Sequence, residues 1–232
     1  MPQPIRIVSY NIRHGTDYRD YPSMDRIVAV LSDLDADVIA LQEVDMNLPR
    51  SGRQKQAAEL ARRLNMGYVF GAALRLERGY YGNAMLSRLP ILAYNTIPLP
   101  DPEENRCLLQ VNLNANGYTL GFFATHLGLN HHRRVQHIEQ SILPAILDFS
   151  GPVILAGDFN ATSDQKEILL ITKHLTDCFD FNSGVILSTF PSYHPAKRID
   201  YIFVNSLVQV QQSYIIPADA SDHLPVTAEI ML

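Results

Sequence analysis

The residues best suited to chemistry in this chain stand where apolar runs end. Ile154-Leu155-Ala156-Gly157 leads into Asp158-Phe159-Asn160, and Ser221-Asp222-His223 stands just ahead of Leu224-Pro225-Val226. Each run reads as a strand, and loops at the ends of a rigid sheet are the usual place for reactive groups. Carboxylates, a carboxamide and an imidazole so placed are the components of metal-assisted hydrolysis. The pattern recurs along the chain. Asn11 follows Ile7-Val8-Ser9-Tyr10, Glu43 follows Val38-Ile39-Ala40-Leu41-Gln42, and His126 follows Phe122-Phe123-Ala124-Thr125. Asp200 lies inside Arg198-Ile199-Asp200-Tyr201-Ile202.

The residue types argue for specific uses. A carboxylate such as Glu43 at the end of an apolar strand would be costly if left unpaired. Hard oxygen ligands of this kind suit a magnesium ion. Asp158 and Asn160 are two apart, so their side chains share a face if the strand continues through them. His14 and the segment Arg50-Ser51-Gly52-Arg53-Gln54 follow candidate strands on loops. Arg50 and Arg53 can clamp a phosphate bidentately, or stay as solvated loop charges. The basic turn His131-His132-Arg133-Arg134 reads as solvent-facing, and His137, His174 and His194 as structural.

These groups need strands to hold them. Buried strands are expected over Ile5 to Tyr10, Asp37 to Val44 and Val153 to Ala156, and others over Gly67 to Ala73, Asn83 to Ser87 and Ile91 to Ile97. Cys107 to Leu113 and Tyr118 to Thr125 form a hairpin through Asn114-Ala115-Asn116-Gly117. Strands over Ile199 to Val204, Val208 to Tyr214 and Val226 to Met231 complete the set. Helices are expected from a Ser23 cap to Leu34, over Gln54 to Leu64, and from a Ser163 cap to Thr172. A further helix over His132 to Asp148 should be divided by Pro144. Strands outnumber helices, which fits two packed sheets with helices outside.

Composition narrows the class. The 232 residues are 47% hydrophobic and 19% charged, enough for a sizeable core, and no linker or repeat divides them. One domain over 1–232 is expected. No run approaches the roughly 18 apolar residues of a membrane span. The first residues lack the charged and apolar regions of a secretory signal. Cys107 and Cys178 lack metal-ligand spacing and read as reduced structural thiols, so a cytoplasmic location is expected. The net charge of −5 argues against a dedicated nucleic-acid binder.

The segments Ser9-Tyr10-Asn11-Ile12, Leu41-Gln42-Glu43, Leu86-Ser87-Arg88, Thr125-His126-Leu127, Gly157-Asp158-Phe159-Asn160, Arg198-Ile199-Asp200-Tyr201 and Ser221-Asp222-His223 form an ordered set. In order and local sequence it resembles the endonuclease/exonuclease/phosphatase superfamily, which includes DNase I and neutral sphingomyelinases. The resemblance implies a four-layer α/β/β/α sandwich of two mixed, mostly antiparallel sheets. It also implies hydrolysis of a phosphoester with one or two Mg²⁺ (or Mn²⁺) ions. By that resemblance Glu43 is the principal metal ligand, with Asn11 beside it and Asp222 as a further metal-side carboxylate. Asp158 orients or deprotonates the attacking water, or binds a second ion. Asn160 holds that ion or a phosphate oxygen. His223 acts as general base or transition-state stabiliser, oriented by Asp200. His126 binds or protonates a phosphate oxygen, and Asn83 orients His126 or touches the phosphate. A phosphodiesterase directed at a lipid headgroup or glycolipid is the expected member. A nuclease of the same superfamily is the alternative, and a catalytically silent binding module a second one.

Overall fold

A computed structural model describes residues 3–179 and 188–232. Among these residues, twelve strands form two sheets of six. The first is ordered β11 (Gln209–Ile215), β12 (Val226–Met231), β1 (Ile5–Asn11), β2 (Val38–Met46), β4 (Gly79–Ser87), β3 (Gly67–Leu76). The second is ordered β5 (Ile91–Leu99), β6 (Arg106–Ala115), β7 (Tyr118–His126), β8 (Val153–Asp158), β10 (Asp200–Val204), β9 (Thr176–Asp177).

The two-residue period of a strand decides which layer each side chain enters. On β1, Ile5 and Ile7 face the second sheet, while Val8 and Tyr10 face helices α1 (Met24–Leu34) and α2 (Gln56–Leu64). On β8, Ile154 and Ala156 face the first sheet, while Val153 and Leu155 face the opposite helical layer. That layer holds α3 (His131–His137), α4 (Leu143–Leu147) and α5 (Lys166–Ile171). The result is the expected α/β/β/α order. The central strands are buried on both faces, which is why they read as unbroken apolar runs.

Topology puts the polar strand ends together. Within each sheet one central pair is parallel: β1 with β2, and β7 with β8. Parallel strands finish at the same end of a sheet, so Asn11 and Glu43 emerge together, as do His126 and Asp158, which are register partners. β10 runs antiparallel to β8 and begins with Asp200 opposite Asp158. β12 runs antiparallel to β1, so His223 precedes it at the same end.

Several local expectations are corrected. Ser23 precedes α1, but its hydroxyl donates to the Ala220 carbonyl at 2.5 Å instead of capping the helix. Ser163 caps nothing; α5 begins after Gln165, whose side-chain oxygen accepts from the Thr162 N–H. Asn130 is a true cap, accepting from the Arg133 N–H. Pro144 divides its helix as expected, with a wider π turn at Ile138–Ile142 joining the two α segments. β3 runs on to Leu76, and β9 was not anticipated, being too short for any sequence period. The β6–β7 turn is tighter than the four residues expected, with Asn116 and Gly117 both at positive φ. No described helix is long and apolar enough to cross a membrane.

Gly157 is required by a close approach. A Cβ there would sit 2.0 Å from the Thr125 carbonyl oxygen on β7, and φ is +154°. Gly52, at φ +64°, would meet nothing within 4 Å. Gly157→Ala should therefore cost about 3 kcal/mol or more, by forcing β8 off β7. Gly52→Ala should cost about 1 kcal/mol, the strain of a left-handed alanine. Urea denaturation of the two variants checks the difference.

Candidate active site

The carboxylate of Asp158 is the hub of the cluster. Its Oδ2 lies 3.1 Å from Asn11 Nδ2, 3.4 Å from His126 Nε2 and 3.7 Å from His223 Nε2. Asn11 Nδ2 also donates to Glu43 Oε1 at 3.0 Å, so one carboxamide links two carboxylates carried by different sheets. His223 Nδ1 lies 3.0 Å and 3.2 Å from the two oxygens of Asp200. The expected imidazole–carboxylate pair is therefore formed. Asp222 and His14 complete the wall, His14 with Nδ1 3.9 Å from Glu43 Oε2. All of these groups except Asn11 and Asp200 line a cleft of about 950 Å³.

Backbone strain aims two of the side chains. The β2–β4 register shifts between Leu41 and Val44, a bulge that contains Glu43 at φ +57°. A bulge re-aims a side chain out of the sheet, here into the cleft. Asn160 stands at φ +48° just beyond the end of β8. The strand ends at Asp158, so the condition under which Asp158 and Asn160 would share a strand face is not met. Asp158 Oδ1 instead accepts the Asn160 backbone N–H at 2.9 Å, and this turn brings both side chains to the cleft. Asn160 Nδ2 then donates to the Leu127 carbonyl at 2.8 Å.

Electrostatics divide the groups. Burial raises the Asp158 carboxyl to about 7, with Asp200 adding to the effect. Burial works against the His223 imidazolium, but Asp200 and Asp158 outweigh it and carry the ring up to about 10. Burial and the Arg106 guanidinium both hold His126 well below the ordinary histidine range. Burial opposes the charge on Glu43, yet His14, His126 and the Asn11 amide keep its carboxyl well below the usual range. Burial raises Asp222.

Three expected phosphate contacts are revised. Arg53 is exposed on its loop and stands away from the cleft lining, because Gly52 turns the chain outward after Ser51. Asn83 is buried and donates to the Cys107 carbonyl at 3.0 Å, pinning β4 to β6 across the two sheets. It is neither the orienting partner of His126 nor part of the cleft surface. Arg50 does reach the cleft, but its guanidinium holds buried Asp45 through two bonds of 2.7 and 2.8 Å. The residue missed from sequence is Arg106, whose Nη1 is 3.0 Å from His126 Nδ1. The Asn116-Gly117 turn fixes the hairpin register, with Leu108 opposite Thr125. Extending that register brings Arg106 near His126, which is the signal that could have found it.

A profile of the Endonuclease/Exonuclease/phosphatase family matches residues 8–223. The chain belongs to that family. Among curated relatives, the uncharacterized Escherichia coli K12 protein YbhP is 26% identical over 244 residues, spanning 98% of this chain and 96% of its own. Among solved structures, the Bacteroides vulgatus endonuclease/exonuclease/phosphatase superposes with a TM-score of 0.81 at 23% identity, covering 99% of both chains. The Bacteroides thetaiotaomicron mannosyl-6-phosphatase Bt3783 gives 0.80 at 19% identity, covering 98% of this chain and all of its own. These likenesses agree with the two-sheet sandwich. Membership places the chain among phosphoester hydrolases.

Two outcomes test the geometry. Arg50→Ala should lower stability by about 1–2 kcal/mol, because buried Asp45 loses its counter-ion; a variant of unchanged stability with a raised KM would instead mark Arg50 as a substrate clamp. The pH response follows from His223. Its folded pKa of about 10 lies above the ordinary histidine value, so its contribution to stability is complete below about pH 6.5 and lost as pH rises through 10. Thermal midpoints in EDTA should fall over that interval, and His223→Gln should flatten the fall.

Proposed function

We propose that this protein is a divalent-metal-dependent phosphodiesterase that attacks phosphorus in line with an activated water. The observation that carries the reading is the Glu43–Asn11–Asp158 set, three oxygen-bearing side chains joined by hydrogen bonds of 3.0 and 3.1 Å and faced by two histidines.

The donor set fits a hard cation. Glu43, Asp158 and Asp222 offer carboxylate oxygens to the cleft, with Asn160 at the edge. Asn11 turns its Nδ2 toward Glu43 and Asp158 while its Oδ1 accepts from the Arg13 N–H, so its amide would have to turn over to offer an oxygen to the ion. Asp158, Asp200 and His223 also lie within 4.8 Å of one another. Asp200 and His223 are already committed to each other there, so the oxygen set is the better fit for Mg²⁺ or Mn²⁺. Such an ion would offset negative charge on the phosphoryl group and its leaving oxygen.

The chain's own residues divide the remaining work. Asp158, facing the cleft with Oδ2 3.7 Å from His223 Nε2, is placed to accept the proton of the attacking water. His223 is held as imidazolium by Asp200 and stands ready to stabilise a phosphoryl oxygen. Asn160 and His126 supply further polar contacts on the same side.

The cleft also bears on substrate. Arg50, Arg106 and Arg134 pair with Asp45, Glu104 and Glu167. Among the described lining residues, Lys197 is the cation without an ion pair. A nucleic-acid track needs several free cations to displace counterions. The cleft instead carries exposed apolar surface at Leu129, with Leu74 and Leu76 in the opposite hairpin. A monoanionic diester with an apolar or uncharged substituent, such as a lipid headgroup ester, suits this lining.

Hydrolysis of bis(p-nitrophenyl) phosphate and p-nitrophenyl phosphate, with Mg²⁺, Mn²⁺ or EDTA, tests the reading. The diester should be preferred and EDTA should abolish turnover; metal-independent turnover or preference for the monoester would overturn it. Asp158→Ala and His223→Ala should each lower kcat by about 10²- to 10⁴-fold while remaining folded by circular dichroism. Raising salt from about 50 to 200 mM should change kcat/KM by less than about threefold, whereas a nuclease with many phosphate contacts would lose about 10³-fold or more.

A further inference from the structure

The two ring nitrogens of His126 have different surroundings. Arg106 Nη1 lies 3.0 Å from Nδ1. A guanidinium carries N–H groups and no lone pair, so this hydrogen bond requires an unprotonated Nδ1. The proton of the neutral ring is then on Nε2. There the neighbours are Asp158 Oδ2 at 3.4 Å and Asn160 Nδ2 at 3.3 Å. The Asn160 amide gives one of its two N–H groups to the Leu127 carbonyl, and Asp158 Oδ2 can accept from Nε2–H. The shorter contact at Nδ1, from a group that can only donate, decides between them.

Arg106 is itself held. It is buried, with Nη1 3.1 Å from Glu104 Oε1 and donating to the Tyr81 hydroxyl oxygen at 3.5 Å. It is the first residue of β6, paired there with Leu99 of β5, while Leu108 two residues on pairs with Thr125 of β7, the strand that ends in His126. The guanidinium and the imidazole are thus fixed by adjacent strands of one sheet.

We propose that Arg106 is a positioning residue that fixes His126 as the Nε2–H tautomer, so that His126 donates a hydrogen bond to a non-bridging phosphoryl oxygen in the cleft. The tautomer stands on the geometry alone; the acceptor rests on the phosphodiesterase reading above. In this role His126 offers a hydrogen bond without giving up its proton. That separates it from His223, whose Nδ1 faces a carboxylate instead of a guanidinium.

Full-length protein with ¹⁵N-labelled histidine, studied by long-range ¹H–¹⁵N correlation near neutral pH, reads the tautomer directly. His126→Gln assigns the signals. The wild-type ring should show a bare Nδ1 and a protonated Nε2; a protonated Nδ1 would overturn the proposal, and this result needs no Arg106 variant to fold. Arg106→Met should erase the tautomer preference, and Arg106→Lys should restore part of it. In the diester assay, Arg106→Met should lower kcat about 10- to 100-fold, the worth of one hydrogen bond to a charged group, with KM within about twofold. On a His126→Gln background it should cost nothing further. An additive loss there would show that Arg106 acts independently of His126 and overturn the proposal. If the protein hydrolyses neither ester, the phosphodiesterase reading fails while the NMR result still decides the tautomer.

Discussion

Asn11 belongs to one sheet and Asp158 to the other, and the 3.1 Å hydrogen bond between them spans the layer where the sheets pack. The site depends on that face-to-face contact. Ile7, Val38 and Ala40 from the first sheet meet Phe122, Ile154 and Ala156 from the second in one buried layer. Interiors packed at this density transmit small displacements to their edges. A change in sheet spacing would part Asn11 and Glu43 from Asp158 and the two histidines. Asn83, read from sequence as a substrate contact, serves this same interface by joining β4 to β6.

The active end concentrates charge that burial alone would disfavour. Each charged group there is compensated: Asp200 by His223, Asp158 by Asn11 and both histidines, Glu43 by Asn11 and His14. Backbone strain is spent in the same place. Glu43 and Asn160 hold positive φ although neither is glycine, and such conformations persist where the surrounding fold enforces them. Here the enforcing elements are the β2 bulge and the turn closed by Asp158 Oδ1. Strain and buried charge are spent on preorganising oxygen atoms around a cleft, as a site for electrostatic catalysis requires.

Most of the constellation was legible from residue types. A polar side chain at the border of an apolar run is visible without coordinates: Asn11, Glu43, His126 and Asp158 follow such runs, His223 precedes one and Asp200 lies within one. The failures share a cause. Arg50, Arg53 and Arg106 have the same side chain, and sequence does not say which partner each one meets. Arg50 meets Asp45, Arg53 meets solvent, and Arg106 meets His126. Cap assignment failed for a related reason. Ser23 has the right type and place, but a carbonyl some two hundred positions away takes its hydroxyl.

The sequence by itself determined the strands other than β9, the helices on either side of them and the chemical types at the strand ends, because period and composition are local properties of the chain. It placed the hairpin turn within Asn114-Ala115-Asn116-Gly117, and strand pairing narrowed it to Asn116-Gly117. Only the tertiary structure decided which polar groups converge, which arginine is a counter-ion and which a positioning group, and which nitrogen of His126 faces the cleft. Those outcomes depend on register between strands and on contacts between two sheets. A single hydrogen bond of about 3 Å between residues far apart in the chain carries more of that information than any pattern along it.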